Sequence, residues 1–258
     1  LLAKLEKKLK FIELANEIAH QNTVLLQTTM GAVAVTEQAI VNETHRRGMI
    51  VPGRKYRDKN AEPVTAAGAY VATPKKGIHD WIGSLDINSL YPSVIRALNM
   101  GPETIIGQIR PVITSAEVNR AIHQKKSFAA AWDNQFGNWE YQAVMNQEKG
   151  TEIVVDWEDE TSVRMSAAQM YDLIFDGNNK WVLSANGTIF TYEYEAVIPG
   201  LLKRWYEERQ EMQRKMRDCG DNEIEREYWD KRQLVKKINL NSLYGAILNP
   251  GCRFFDMR

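Results

Sequence analysis

The sequence is poor in cysteine: Cys219 and Cys252 are the only two in 258 residues. So few thiols exclude a disulfide framework, lack the paired spacing of a zinc site, and fit a reducing compartment. No apolar run is long enough to cross a bilayer, and no segment has the basic start, apolar middle and cleavage site of a signal peptide. A soluble cytoplasmic protein with no membrane partner is therefore expected. The sequence also lacks an excess of either charge, with 33 basic and 33 acidic residues, whereas a small nucleic-acid-binding module is usually basic overall. No internal repeat or low-complexity tract interrupts the chain.

What is present suffices for a core. The chain is 44% hydrophobic and 26% charged, which excludes disorder by composition and suits one large domain or two modest ones. Zero net charge conceals clustering. Basic residues gather at 203–217 and 231–237 and acidic ones at 156–160, so a local positive cleft stays open to the chain. The sequence starts at Leu1 rather than Met, inside what reads as a helix, and stops in an extended run at 253–256. It is read as a piece of a longer protein.

Apolar residues Leu5, Leu9, Ile12, Leu14 and Ile18 recur at helical spacing. A second helix is predicted over residues 36–47, with Gly48 as its cap and Pro52 beyond. Residues 52–74 read as a loop with a short strand at 69–72. Residues 81–87 read as a strand feeding a helix near Tyr91-Pro92. Strands are further predicted at 153–155, 181–184 and 188–194, the last two joined at the turn Asn186-Gly187, with a helix at 167–175. A helix from Pro199 to about Cys219 should end on a left-handed Gly220, and a new one should start at Asn222 with Glu225 three residues on. So short a turn makes the two helices, the second reaching about Leu248, an antiparallel hairpin.

Three segments carry candidate chemistry. In Ser84-Leu85-Asp86-Ile87-Asn88-Ser89-Leu90-Tyr91-Pro92-Ser93, a carboxylate ends an apolar strand ahead of a turn into a helix. Asp86 can there hold a divalent cation such as Mg²⁺, or simply cap the helix. In Lys237-Ile238-Asn239-Leu240-Asn241-Ser242-Leu243-Tyr244-Gly245, Lys237, Asn241 and Tyr244 share one helical face suited to phosphate and base. The same face also reads as solvated surface. Gly245 costs about 1 kcal/mol against alanine in a helix unless something must approach closely. Arg209 in the first hairpin helix lies within about 7 Å of Lys237 in height at the rise of a helix, a separation fit for gripping one triphosphate. Charge-rich helices of this kind are also commonly just solvated, and Arg204 with Glu208 is a ready i,i+4 pair.

The combination resembles family B DNA polymerases: Asp-x-x-Ser-Leu-Tyr-Pro-Ser is similar to their motif A and Lys-x-x-x-Asn-Ser-x-Tyr-Gly to their motif B, in the family's order. Residues 99–107, 184–187, 198–199 and 253–258 are similar to the T-even-type phage branch. The resemblance covers residues 68–258, extends less distinctly before that, and is poor over 125–180. It implies an α/β (α+β) fold: a partial palm with a long antiparallel helical-hairpin fingers subdomain. The implied divisions are a helical linking segment at 1–60, palm with motif A and a β-rich insertion at 61–197, fingers at 198–249, and a return to the palm at 250–258.

By resemblance, Asp86 and the carbonyl of Ile87 bind two catalytic Mg²⁺ ions, and the amides of Ser89, Leu90 and Tyr91 cradle the nucleotide triphosphate. Tyr91 is the gate against a 2′-hydroxyl. Arg209, Lys237 and Asn241 hold phosphates, and Tyr244 and Gly245 line the nascent base pair. The implied partners are primer–template DNA, dNTP, the rest of a polymerase chain, a sliding clamp and other replisome proteins in viral DNA replication. Two departures stand out. Gln213 occupies a position where T-even relatives have lysine, with Arg214 or Lys215 as substitutes. Alanines also replace the aromatic that usually precedes Gly68-Ala69-Tyr70. No Asp-x-Asp triplet occurs in the chain, so the family's second metal-binding carboxylate is expected downstream, the exonuclease motifs upstream, and the isolated chain inactive. The alternatives are one subunit of a naturally split polymerase, or a non-catalytic nucleic-acid-binding or assembly module whose hairpin is structural.

Overall fold

The computed structural model describes residues 1–53, 73–126, 131–132 and 135–256. The short strand predicted at 69–72, with Gly68-Ala69-Tyr70, falls outside the described residues. The chain divides into two compact units, Leu1–Val94 with Leu201–Met257, and Ile95–Gly200. The nine described α-helices, in chain order, are α1 Leu2–Leu9, α2 Phe11–Asn22, α3 Ala32–Arg46, α4 Leu90–Ala97, α5 Val112–His123, α6 Trp139–Met145, α7 Ala167–Tyr171, α8 Val197–Asp218 and α9 Glu223–Ile247. The strands are β1 Ile105–Ile109, β2 Glu152–Trp157, β3 Ser162–Ser166, β4 Trp181–Leu183 and β5 Thr188–Thr191. Helix and antiparallel sheet together give the mixed fold class expected.

The unit Ile95–Gly200 is built on one antiparallel sheet of order β3-β2-β1-β5-β4. Ile109, Ile153, Val155, Leu183 and Ile189 alternate onto one face and meet Ala143, Val144, Ala167 and Met170 of α6 and α7 in a shared core. Among the described residues, the poorly matching stretch 125–180 thus contributes two strands and two helices to this core. The Asn186-Gly187 turn forms as expected, with Gly187 at φ 90, and a Cβ there would stand 3.2 Å from the Ile109 carbonyl. Asn99, in a left-handed conformation at φ 50, knits the approach to α8. Its amide donates to the carbonyls of Thr191 at 2.8 Å and Tyr194 at 2.9 Å, and its oxygen accepts from the Ala196 N–H at 2.9 Å. Glu103 then accepts the Val197 N–H at 2.6 Å, a carboxylate at the positive end of the helix.

The other unit centres on the hairpin. Helix α8 ends at Asp218, Gly220 is left-handed at φ 56, and the Asn222 side chain accepts from the Glu225 N–H at 3.2 Å. These are the two turn signals that the sequence carries. Helix α3 packs on α9, and Ile40, Leu202, Val235, Leu240 and Leu243 are buried.

Helix α2 also packs against α9. Lys10 donates to Glu227, Lys231 to Glu13, and Asn239 to Asn22 at 3.0 Å, partners separated by 217 or 218 residues in each case. A constant offset means that the helices run parallel in fixed register. The exposed ion pairs contribute little. The buried Asn22–Asn239 bond fixes the phase of α9, since losing Asn239 would leave the buried Asn22 oxygen without its donor. Asn239→Leu is expected to cost about 1–3 kcal/mol, read as a fall in the urea midpoint. An unchanged midpoint would remove that role.

A buried carboxylate secures the base of the hairpin. Glu43 of α3 pairs with Arg46 at 2.7 Å, Arg47 at 2.9 Å and Arg204 of α8 at 2.6 Å. Burial pushes the Glu43 carboxyl up, but the hydrogen bonds from Arg46 and Arg47 and the charge of Arg204 outweigh it and hold the group below its ordinary 4.5. A depressed folded pKa contributes stability above the unfolded value and loses it as pH falls through the folded one. Glu43→Gln should therefore destabilise by about 1.5–3 kcal/mol near neutral pH, because the arginines it leaves keep partial access to water. The gap from wild type should close below the ordinary carboxylate range, as unfolding midpoints across pH would reveal.

Candidate nucleotide site

The motif A segment begins with a correction. Residues 82–87 form no strand, and Leu85 is fully exposed while Ile87 is 63% exposed. Strands form only where backbone groups find a neighbour, and the five described strands pair among themselves. Asp86 therefore stands exposed on an unpaired segment. Among the described residues no group of three or more His, Cys, Asp or Glu could hold a metal ion. Asp86 and the Ile87 carbonyl are hard oxygen donors of the class that Mg²⁺ takes. On their own they make one corner of a site, not a cage.

The turn that follows is built tightly. Ser89 is left-handed at φ 51, a conformation costly for a residue with a Cβ and common where backbone serves a ligand. Its carbonyl accepts the Ser93 N–H at 2.9 Å, opening α4 and leaving the first amides of that helix free of helical partners. Asn88 and Ser89 line a pocket of ≈ 330 Å³ with Tyr206, Arg209, Gln210 and Gln213 of α8. The four α8 residues follow i, i+3, i+4, i+7 spacing, a single helix face. That spacing, which adds Tyr206 and Gln210 to the site, is visible in the sequence.

Arg209 is held within the hairpin: its Nε donates to Gln233 Oε1 of α9 at 3.3 Å. Lys237, Asn241 and Gly245 lie exposed, whereas Lys236, Asn239, Leu240, Leu243 and Ala246 are buried. Adjacent lysines thus have opposite fates. Lys236 is spent on an ion pair with Glu208 at 2.6 Å, and Lys237 faces outward. Tyr244, on the Lys237 stripe, stacks on Tyr91 with centroids 4.2 Å apart and planes 12° from parallel. Nothing lies within 4 Å of where a Gly245 Cβ would stand, so packing within the chain does not require glycine there.

The structure thus brings Ser89 with Arg209, and Tyr91 with Tyr244. Lys237, Asn241 and Asp86 are absent from the pocket lining. No described helix is long and apolar enough to cross a membrane.

A family model described as "DNA polymerase family B" matches residues 22–254. The chain is 20% identical to the DNA-directed DNA polymerase of Escherichia phage RB69 over 99% of its own length and 28% of that protein. It is 31% identical to the DNA-directed DNA polymerase of Enterobacteria phage T4 over 39% of the chain and 11% of that protein. The similarity thus includes the T-even-type branch. In fold it is similar to the family B DNA polymerase of Pyrobaculum calidifontis, at a TM-score of 0.58 and 18% identity, over 98% of this chain and 24% of that one. The chain spans roughly a quarter of the length of that structure and of the RB69 enzyme.

Proposed function

The chain belongs to DNA polymerase family B, and from that premise we propose that it supplies the fingers and part of the palm of an enzyme performing template-directed DNA synthesis in viral replication. The observation carrying this reading is the pocket that joins the Asn88-Ser89 turn to Arg209 of the hairpin. Beside it the amides of Ser89, Leu90 and Tyr91, at the start of α4, bind the triphosphate of an incoming dNTP, as amides at a helix start suit an anion. Arg209 and Lys237 take the β and γ phosphates, with Asn241 in support. Gln213 is neutral, so the extra phosphate contact of T-even relatives is weakened here. Because the cations ride on a hairpin, its rotation toward the palm couples nucleotide binding to assembly of the site.

Asp86 and the Ile87 carbonyl would hold Mg²⁺, and the ion would supply Lewis-acid activation of the primer 3′-hydroxyl and charge stabilisation at the leaving pyrophosphate. Tyr91 excludes a 2′-hydroxyl from the sugar position. Tyr244 and the bare backbone of Gly245 face the new base pair, where the open space above Gly245 leaves room for it. The segments divide as linker at 1–60, palm at 61–197, fingers at 198–249 and returning palm at 250–258. Primer–template DNA is the substrate partner, and a sliding clamp and other replisome proteins complete the assembly in the host cytoplasm. Lacking an Asp-x-Asp triplet, the chain alone extends no primer; extension by it alone would overturn that claim.

The test is nucleotide affinity in a polymerase that carries this chain with a downstream Asp-x-Asp segment. Arg209→Ala and Lys237→Ala should each raise KM for dNTP about 10- to 150-fold, the worth of a charge-assisted phosphate contact. Unchanged KM in both would sink the pocket assignment.

A further inference from the structure

The arginines of the hairpin are treated unequally. Arg204 pairs with Glu43 at 2.6 Å and Glu208 at 3.7 Å, and Arg232 with Glu17 at 3.4 Å. Among the described residues no carboxylate pairs with Arg209. Its hydrogen bond goes instead to the neutral amide of Gln233, across the hairpin. That amide is itself oriented: Gln233 Nε2 donates to Asp230 Oδ1 at 2.9 Å, which turns Oε1 toward the guanidinium. Gln233 also opens the stripe continued by Lys237, Asn241 and Tyr244, at successive steps of four, four and three residues.

We propose that Gln233 is the positioning residue for Arg209: a neutral tether that fixes the guanidinium by its Nε while leaving its charge and both terminal nitrogens for a polyphosphate. This rests on the reading of the pocket as a triphosphate site. The choice of an amide over a carboxylate follows from the task. A guanidinium presents a fixed fork of donors suited to two phosphate oxygens at once. A carboxylate at position 233 would hold the same nitrogen more strongly, yet neutralise the charge and repel the anion. An apolar side chain would leave the charge and lose the orientation.

That contrast separates positioning from mere structural support. The 258-residue chain is titrated calorimetrically with inorganic tripolyphosphate, as wild type, Arg209→Ala, Gln233→Glu and Gln233→Met, with melting curves alongside. Gln233→Glu should bind about tenfold more weakly without a lower melting temperature, and the defect should shrink at high salt because it is electrostatic. Gln233→Met should lose less, about threefold, independently of salt; if Gln233→Glu does not fold, this variant decides alone. If Arg209→Ala weakens binding while the folded Gln233 variants bind as wild type does, Gln233 has no such role and the pocket reading stands. If the wild-type chain does not bind tripolyphosphate, or Arg209→Ala binds equally well, the pocket reading falls and takes the inference with it.

Discussion

Asp86→Ala should lower primer extension by about three orders of magnitude or more in a polymerase that joins this chain to an Asp-x-Asp segment. Loss of metal-borne charge stabilisation costs several kcal/mol, and each 1.36 kcal/mol is tenfold in rate. The same change should leave stability within about 0.5 kcal/mol of wild type, as for surface positions generally. Asp86 is exposed on a segment outside every described helix and strand, so a fold built without it has little to lose. That separation of activity from stability distinguishes a ligand from a helix cap, whose removal would cost about 1 kcal/mol and spare the rate. Single-turnover extension alongside thermal melting reads both quantities. Extension at the wild-type rate would remove Asp86 from the metal site.

Tyr91→Ala carries the second large effect. The ring is 44% exposed and lies flat on Tyr244, so it is a rigid surface rather than a core filler. Forcing an additional hydroxyl against such a surface costs about 1–3 kcal/mol, which corresponds to about 5- to 150-fold discrimination. Alanine removes the wall, and the ratio of kcat/KM for dNTP over rNTP should fall by that factor. Tyr244→Ala is the informative partner. It loses the stack, worth about 0.5–1.5 kcal/mol, but keeps the gate, so sugar discrimination should persist while insertion opposite a mismatch rises. Equal sugar discrimination in wild type and Tyr91→Ala would refute the gate.

Much of this arrangement is legible in the sequence, because the signals are local. Gly220 and Asn222 mark the hairpin turn, Asn186-Gly187 the β-turn, and Lys237, Asn241 and Tyr244 a shared helix face. Where the outcome depends on a distant partner, local reading gives less. Residues 81–87 have the composition of a strand, but a strand needs a neighbour, and no described strand pairs with them. The order of the five-stranded sheet, the register of α2 on α9, and the Arg209–Gln233 bond each depend on residues brought together from afar. Lys236 and Lys237 make the point at single-residue scale. Both are lysines of one helix, and only the rotation of α9, fixed by packing and the Asn22–Asn239 bond, sends one to Glu208 and the other outward.

A crystal structure of a polymerase carrying this chain, with primer–template and a non-hydrolysable dNTP, decides whether the Ser89 turn and Arg209 form a triphosphate site. Phosphate density is expected against the amides of residues 89–91 and the Arg209 guanidinium, with the Gln233 contact kept. Nucleotide bound with its phosphates away from both the turn and Arg209 would contradict it.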